Sequence, residues 1–127
     1  MQNEKEKFKK EFIKRLVKFS VSTIVFAKKL RKDRNLWSIA DQLIRCVTSI
    51  GANVVEAKAS SSKKDYIKFF EIALKSANEA KYWFIVIMET VKSNTLNSEA
   101  GKLLKEADEI SRIIGSSVLT LKGKRNF

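Results

Sequence analysis

Histidine is absent from the 127-residue chain, and cysteine occurs once. Histidine is the side chain whose charge changes near neutral pH, so its absence removes the commonest general base, the Ser-His and Cys-His pairs, and most zinc sites. The single thiol, Cys46, can form neither a disulfide framework nor a thiolate metal site, and its neighbours Ile44 and Val47 predict that it is buried and inert. We therefore expect no metal, no cofactor and no enzymatic activity.

Proline is also absent, and the four glycines are isolated from one another. Without proline, no stretch of the chain meets the strongest helix breaker, which favours an all-α fold over a sandwich or a barrel. Isolated glycines cannot form the glycine-rich loop that holds nucleotide phosphates. The chain also lacks the run of about 18 apolar residues that a membrane span requires, and its N-terminus lacks the features of a signal peptide. A cytoplasmic location without a membrane partner is the simplest expectation.

Apolar residues recur at steps of three and four in four segments, which is the pattern of amphipathic helices. Short polar connections between such helices favour antiparallel neighbours. The sequence therefore predicts one domain over residues 1–127, an all-α, antiparallel up-down-up-down four-helix bundle. The helices are expected at about 4–31, 36–58, 63–92 and 97–121. Ser62 is the expected cap of the third helix, residues 92–97 the last loop, and residues 122–127 a frayed tail.

Two of the helices carry more apolar positions than one core-facing stripe requires. A second stripe runs beside the core stripe of the first helix, and the third helix has an additional apolar edge. Small residues line up on the second helix and would permit the close approach of a neighbouring helix. We predict that these edges meet copies of the same subunit, at Ile13, Val17, Val21, Ile24, Ser49, Asn53, Trp83 and Val86. The alternative is that these wide helix faces are buried in one large core.

The charge of the chain is strongly positive. Lysine and arginine number 26 against 14 acidic residues, a net charge of +12, and residues 1–34 hold twelve of the bases and four of the acids. Lysines at helical spacing form a stripe on the first helix, further bases surround the first turn, and the third helix carries another cationic face. We predict contacts with the phosphates of RNA or DNA, largely without sequence readout, by Lys7, Lys10, Lys14, Lys18, Lys28, Lys29, Arg31, Lys64, Lys68 and Lys75.

Two other classes of function remain compatible with the basic faces. The chain could be a scaffold that binds a protein partner, with no direct role in nucleic-acid binding. Residues 1–34 could instead form a helix that lies on an anionic membrane surface. A metal cluster built from Glu56, Glu79, Glu106 and Glu109 is the least favoured hypothesis, because these carboxylates are expected to pair with basic residues or to face water.

A distinctive series of residues runs from Asp41 to Phe84, in the stretch DQLIRCVTSIGANVVEAKASSSKKDYIKFFEIALKSANEAKYWF. Its members are Gln42, Arg45, Ser49-Ile50, Ala52-Asn53, Glu56-Ala57, Ser62-Lys63-Lys64-Asp65, Ile72-Ala73-Leu74-Lys75, Ala77-Asn78-Glu79 and Tyr82-Trp83. In order and spacing, this series resembles the four-helix-bundle family that is encoded in intervening sequences of bacterial large-subunit ribosomal RNA genes. The fourth helix resembles the family more loosely, from Glu106 to Ser116, and the first helix resembles it mainly in pattern.

The resemblance implies a bundle that assembles into a ring-like homopentamer. It also implies kinship with the accessory variability determinant of diversity-generating retroelements, which binds nucleic acid and a reverse transcriptase. A reverse transcriptase or a ribosome-associated protein is therefore the kind of partner expected under the scaffold hypothesis, and the family has no agreed enzymatic activity to transfer. The chain has Gly51 and Lys58 where many members have proline and glycine, so the resemblance leaves the end of the second helix open.

Overall fold

The fold consists of four long helices. The computed structural model describes residues 3–125, with side chains as far as Gly123. The helices are α1 (Glu4–Leu30), α2 (Trp37–Ala59), α3 (Lys63–Thr90) and α4 (Asn94–Arg125), and a short 3₁₀ turn at Arg34–Leu36 connects α1 to α2. Residues 3–125 contain no strand, and the predicted all-α four-helix fold is confirmed.

Short polar side chains cap the starts of α1 and α3. The Asn3 side chain accepts a hydrogen bond from the Glu6 amide at 2.8 Å, and the Ser62 hydroxyl accepts one from the Asp65 amide at 3.1 Å. These bonds satisfy amides of the first turn that have no partner within the helix. Helix α3 thus starts at the cap that the sequence indicated. The end of α2, which the family resemblance left open, lies at Ala59.

Helix α4 begins earlier than the sequence predicted. The Ser93 hydroxyl accepts a hydrogen bond from the Leu96 amide at 3.2 Å, and the side-chain amide of Asn97 donates to the Met88 carbonyl at 2.7 Å. The polar cluster that suggested a loop therefore caps α4 and anchors it to α3. Short polar side chains suit loops and helix starts equally well, which is why the boundary was misplaced.

Helix α4 also extends further than expected. Its last turns continue to Arg125, and the Lys122 amine bonds to the Glu71 carboxylate of α3 at 2.7 Å. The predicted fraying is therefore wrong for residues 122–125, and residues 126–127 lie outside the described residues.

Contacts between neighbouring helices run in opposite directions along the chain. The ion pairs are Arg15 with Glu106 and Lys29 with Glu99 between α1 and α4, and Lys81 with Asp108 and Lys122 with Glu71 between α3 and α4. In each pair of helices, residue numbers fall on one helix as they rise on the other. The three-residue connections on either side of α3 impose the same reversal. These contacts are those of antiparallel neighbours.

The centre of the bundle combines small and large side chains. Three alanines of α3 have no exposed surface, namely Ala73, Ala77 and Ala80. Small side chains let neighbouring helices approach, and Phe84 then fills the centre, with its ring centroid 6.3 Å from that of Phe19 and 6.4 Å from that of Phe26. Because α1 packs beside α2 and α4, this aromatic contact joins α1 to α3 across the diagonal of the bundle.

An ion-pair cluster links α1 to α4 at the surface. The Arg15 guanidinium donates two hydrogen bonds to the Glu106 carboxylate, at 2.8 and 2.6 Å, and a third to Glu109 at 2.8 Å. The hydrogen bond from Arg15 lowers the pKa of Glu106, although partial burial opposes that effect. The two-point contact holds the guanidinium and the carboxylate in one relative orientation, in addition to bringing their opposite charges together.

One polar group in the core has no partner. Among the described side chains, the Thr23 hydroxyl is fully buried and makes no hydrogen bond. A buried donor or acceptor without a partner costs about 1–3 kcal/mol, because folding removes its bonds to water. Thr23 therefore lowers the stability of the bundle.

Replacing Glu106 with glutamine should flatten the acid dependence of stability. A carboxyl whose pKa is lowered by folding stabilises the fold above the ordinary glutamate value of about 4.3, and that contribution is lost as the pH falls through the lower folded value. The free energy of unfolding, measured by urea titration, should fall more steeply with acid in the wild type than in Glu106→Gln. At neutral pH the variant should lose about 0.5–1 kcal/mol, because the pair is partly exposed.

The control for that experiment is Glu89→Gln. Glu89 is exposed and forms no ion pair with the described side chains, so its removal should leave the acid slope unchanged. An identical slope in the wild type and in Glu106→Gln would contradict the role assigned to the pair.

Replacing Thr23 with valine should stabilise the protein by about 1 kcal/mol, because the change removes an unsatisfied hydroxyl and retains the branched shape. The matched control is Thr48→Val on α2, where the hydroxyl donates to the Ile44 carbonyl at 2.7 Å and no gain is expected. Urea titration of both variants measures the difference. A loss of stability in Thr23→Val would mean that the hydroxyl is bonded in solution.

Candidate nucleic-acid and subunit interfaces

Four of the predicted phosphate-binding lysines form one row along the outer face of α1. Lys7, Lys10, Lys14 and Lys18 are all exposed, and none forms an ion pair with a described carboxylate. Their spacing of three, four and four residues keeps them on one side of the helix, away from the core. At 1.5 Å per residue the row is about 16 Å long, enough to meet several phosphates of a nucleic-acid backbone.

The bases near the first turn are less available than those in the lysine row. Lys28 is exposed and has no described ion-pair partner, but the Lys29 amine lies 2.7 Å from the Glu99 carboxylate. The Arg31 guanidinium pairs with Asp41 at the start of α2. These acids offset the charges of Lys29 and Arg31, so the structure does not place those two residues with the free lysines.

The third cationic group lies on a different side of the bundle. Lys64, Lys68 and Lys75 are exposed on the outer face of α3 and form no ion pair with the described side chains. Helices α1 and α3 are diagonal partners, since each packs beside α2 and α4. A single subunit therefore does not combine the two lysine groups into one surface.

An apolar edge on α1 remains uncovered in the subunit. Val17 and Val21 are 58% and 55% exposed, whereas Ile13 is half-buried against the core and Ile24 is half-buried. The alternative prediction, that these wide helix faces are buried in one large core, is therefore wrong for the two valines. Val25 extends the edge by another turn at 50% exposure, and its spacing of four residues from Val21 was the signal that the sequence reading missed.

The predicted edge around Ser49 is partly used within the subunit. The Ser49 hydroxyl lies 2.9 Å from that of Ser76 on α3, and the Asn53 amide donates to the Ser49 carbonyl at 2.8 Å. The small residues therefore serve the approach of α2 to α3. Trp83 and Val86 are half-buried on α3, Trp83 against the core, and the Trp83 indole donates to Glu79 at 3.1 Å.

Carboxylates and the Cys46 thiol are the reactive side chains to consider among the described residues. No group of three or more histidine, cysteine, aspartate or glutamate side chains among them is placed to hold a metal ion. Burial, followed by the charge of Glu79, raises the pKa of the Cys46 thiol to about 12, and the thiol donates to the Leu43 carbonyl at 3.3 Å. Cys46 is thus buried and almost wholly protonated at neutral pH, as the sequence indicated.

None of the described helices combines the length and the apolar character needed to cross a bilayer.

The sequence did not indicate a cleft of about 580 Å³ at one end of the bundle. It lies where α1 and α3 start and where α2 and α4 end, and it includes Phe8, Lys9 and Tyr66. Phe8 lies four residues before Phe12 and so continues the core stripe of α1, but it is 56% exposed at the mouth of the cleft. An aromatic residue at helical spacing before the first buried position was the available signal. The remaining lining comes from residues far apart in the sequence, which only the fold brings together.

Comparisons with known proteins assign the family. A family model described as 23S rRNA-intervening sequence protein matches residues 9–116, which reach into all four helices. A protein of unknown function from the S23 ribosomal protein family of Bacteroides thetaiotaomicron has a similar structure, with a TM-score of 0.77 and 28% identity over 84% of this chain and 97% of that one. No curated protein matches the chain. The chain therefore belongs to the 23S rRNA-intervening sequence protein family.

Proposed function

We propose that the protein is a non-enzymatic, basic homo-oligomer that binds RNA or DNA mainly through phosphate contacts. The observation that carries this proposal is the row Lys7, Lys10, Lys14 and Lys18, which is exposed and free of described ion pairs. Lysines that neutralise phosphates release counterions from the nucleic acid, and this release provides affinity for any sequence. The net charge of +12 adds long-range attraction to the same polyanions.

The family description names an intervening sequence of 23S rRNA and states neither an activity nor a ligand, so it is compatible with this proposal without specifying what is bound. RNA is the first nucleic acid to test.

Self-association is the second part of the proposal. Val17, Val21 and Val25 are exposed on α1, and the half-buried Trp83 and Val86 keep only part of their surface on the diagonal helix α3. One subunit therefore presents two unlike apolar surfaces on different sides, of which the valine edge is the more exposed. Contact between unlike surfaces of successive copies closes into a ring when the rotation between subunits fits. A homopentamer is the ring that the family resemblance implies. Five copies would carry about +60 in total, which would strengthen the attraction for polyanions.

Binding should weaken steeply as salt rises. For a blunt RNA or DNA duplex, the logarithm of the association constant should fall linearly with the logarithm of salt concentration, by about 0.9 for each phosphate neutralised. The triple variant Lys10→Gln, Lys14→Gln and Lys18→Gln should reduce that slope by up to about 2.7 per subunit that contacts the duplex. Fluorescence anisotropy at several salt concentrations measures both quantities.

The control removes the same charge from another surface. Lys92, Lys102 and Lys105 are exposed near the junction of α3 and α4, and changing all three to glutamine should alter the slope much less. Equal effects of the two triple variants would show that net charge alone matters, and would contradict the role of the α1 row. Absence of duplex and single-strand binding at low salt would overturn the proposal, and capture of a protein partner that survives nuclease treatment would favour the scaffold alternative.

Val21→Asp should disrupt the oligomer. A charge introduced between Val17 and Val25 would lose hydration when this edge is buried against a neighbouring subunit. Native mass spectrometry should show the mass of a homo-oligomer for the wild type and predominantly that of the monomer for the variant. Helix content, measured by circular dichroism, should be preserved because Val21 is exposed in the subunit. Leu119→Asp on α4, at a position 74% exposed, is the control and should assemble normally. A monomeric wild type, or a variant that still assembles, would contradict the assigned interface.

A further inference from the structure

The cleft at the end of the bundle has an aromatic lining. Phe8 and Phe12 lie with ring centroids 6.2 Å apart and planes inclined by 11°, and Tyr66 and Phe70 lie 4.9 Å apart and inclined by 18°. Phe12 and Phe70 are buried, but Phe8 is largely exposed and Tyr66 is half-buried. Two aromatic rings at the mouth of the cleft therefore retain surface that a flat ligand could cover.

The rim of the same cleft is cationic. Lys5, Lys9, Lys58 and Lys63 line it, and the described lining contains no acidic side chain. None of these four lysines forms an ion pair with a described carboxylate. The Lys9 amine lies 5.3 Å from the centre of the Tyr66 ring, so charge and aromatic surface meet at one point. The rim therefore favours an anionic ligand.

The volume and chemistry of the cleft fit a nucleotide. About 580 Å³ lies within the range of small-ligand sites, and a nucleotide combines a planar base with a phosphate a short distance away. Proteins that hold single-stranded nucleic acids use the same pair of contacts, aromatic stacking for the base and lysine for the backbone. Serine and threonine hydroxyls, including Ser61 and Thr120, add polar groups at the edge.

The position of the cleft connects it to the lysine row. Lys5 and Lys9 line the cleft, while Lys7 and Lys10 occupy the outer face of the same turns of α1. A strand whose end lies in the cleft can therefore continue along the outer face of α1, with successive phosphates beside successive lysines.

We propose that this cleft binds an unpaired nucleotide of single-stranded RNA or DNA, with the base against Phe8 and Tyr66 and the phosphate against Lys9. This inference rests on the proposed function, because the adjoining strand uses the lysine row. It adds a preference that phosphate contacts alone do not give. The protein distinguishes a strand with a free, unstacked base from a blunt duplex, in which every base is paired.

The test compares two probes at one salt concentration: a single-stranded RNA decamer with 2-aminopurine at one end, and a blunt RNA duplex. The double variant Phe8→Leu and Tyr66→Leu keeps apolar bulk but removes both rings. It should bind the single strand about tenfold more weakly, the effect expected for the loss of base stacking, and the duplex with less than about a twofold change. The fluorescence of 2-aminopurine should fall on binding to the wild type but not to the variant.

The control variant is Tyr82→Leu, which removes an aromatic ring that is 59% exposed on α3 and outside the cleft. It should bind both probes as the wild type does. The further variant Lys9→Gln should weaken binding of the single strand and reduce its salt slope by about 0.7, the value for one single-strand phosphate.

The outcomes separate this inference from the proposed function. If the wild type binds the duplex, and the double variant binds both probes as tightly as the wild type, the cleft assignment is overturned while phosphate binding stands. If the wild type binds neither probe, both fail. If a fluorescent fatty acid binds in a manner that depends on Phe8, and single-strand binding does not, the cleft belongs to an anionic amphiphile and the nucleotide assignment is overturned.

Discussion

The contact of Phe84 with Phe19 and Phe26 is the interaction on which the rest of the structure depends. It joins the two helices that are not side by side, and so it holds α1 against the whole bundle. The surface links between α1 and α4 are ion pairs, and partly exposed ion pairs contribute less than buried aromatic area. The orientation of α1 about its own axis, and with it the placement of its lysines and valines, therefore follows from this aromatic centre together with the other buried side chains of α1.

The two kinds of surface on α1 oppose each other energetically. In the proposed assembly, bringing several subunits of charge +12 together would cost electrostatic free energy, and burial of apolar side chains such as Val17 and Val21 would have to offset it. Salt screens the repulsion between subunits but also weakens contacts with phosphate. A bound polyanion would relieve the repulsion without added salt, so assembly and nucleic-acid binding are expected to support each other at low ionic strength.

The helices and most of the core could be predicted from the sequence, because apolar residues at steps of three and four mark a buried face wherever it lies. The start of α4 could not, since Ser93 and Asn97 suit a loop or a cap equally well. Spacing also does not distinguish the exposed Val17 from the half-buried Ile13, because exposure depends on where α2 packs. The pairing of Arg15 with Glu106, 91 residues apart, and the cleft formed by four helix ends arise only in three dimensions.

The buried thiol of Cys46 gives the bundle an internal reporter of its own motion. Attack by a thiol reagent requires a thiolate, and burial holds the pKa of this thiol at about 12 while α2 stays in place. Labelling must therefore wait for a local opening that admits water and reagent to the core. The rate of labelling then measures how often the centre of the molecule opens, and a chain with one cysteine reports that event without ambiguity about its location.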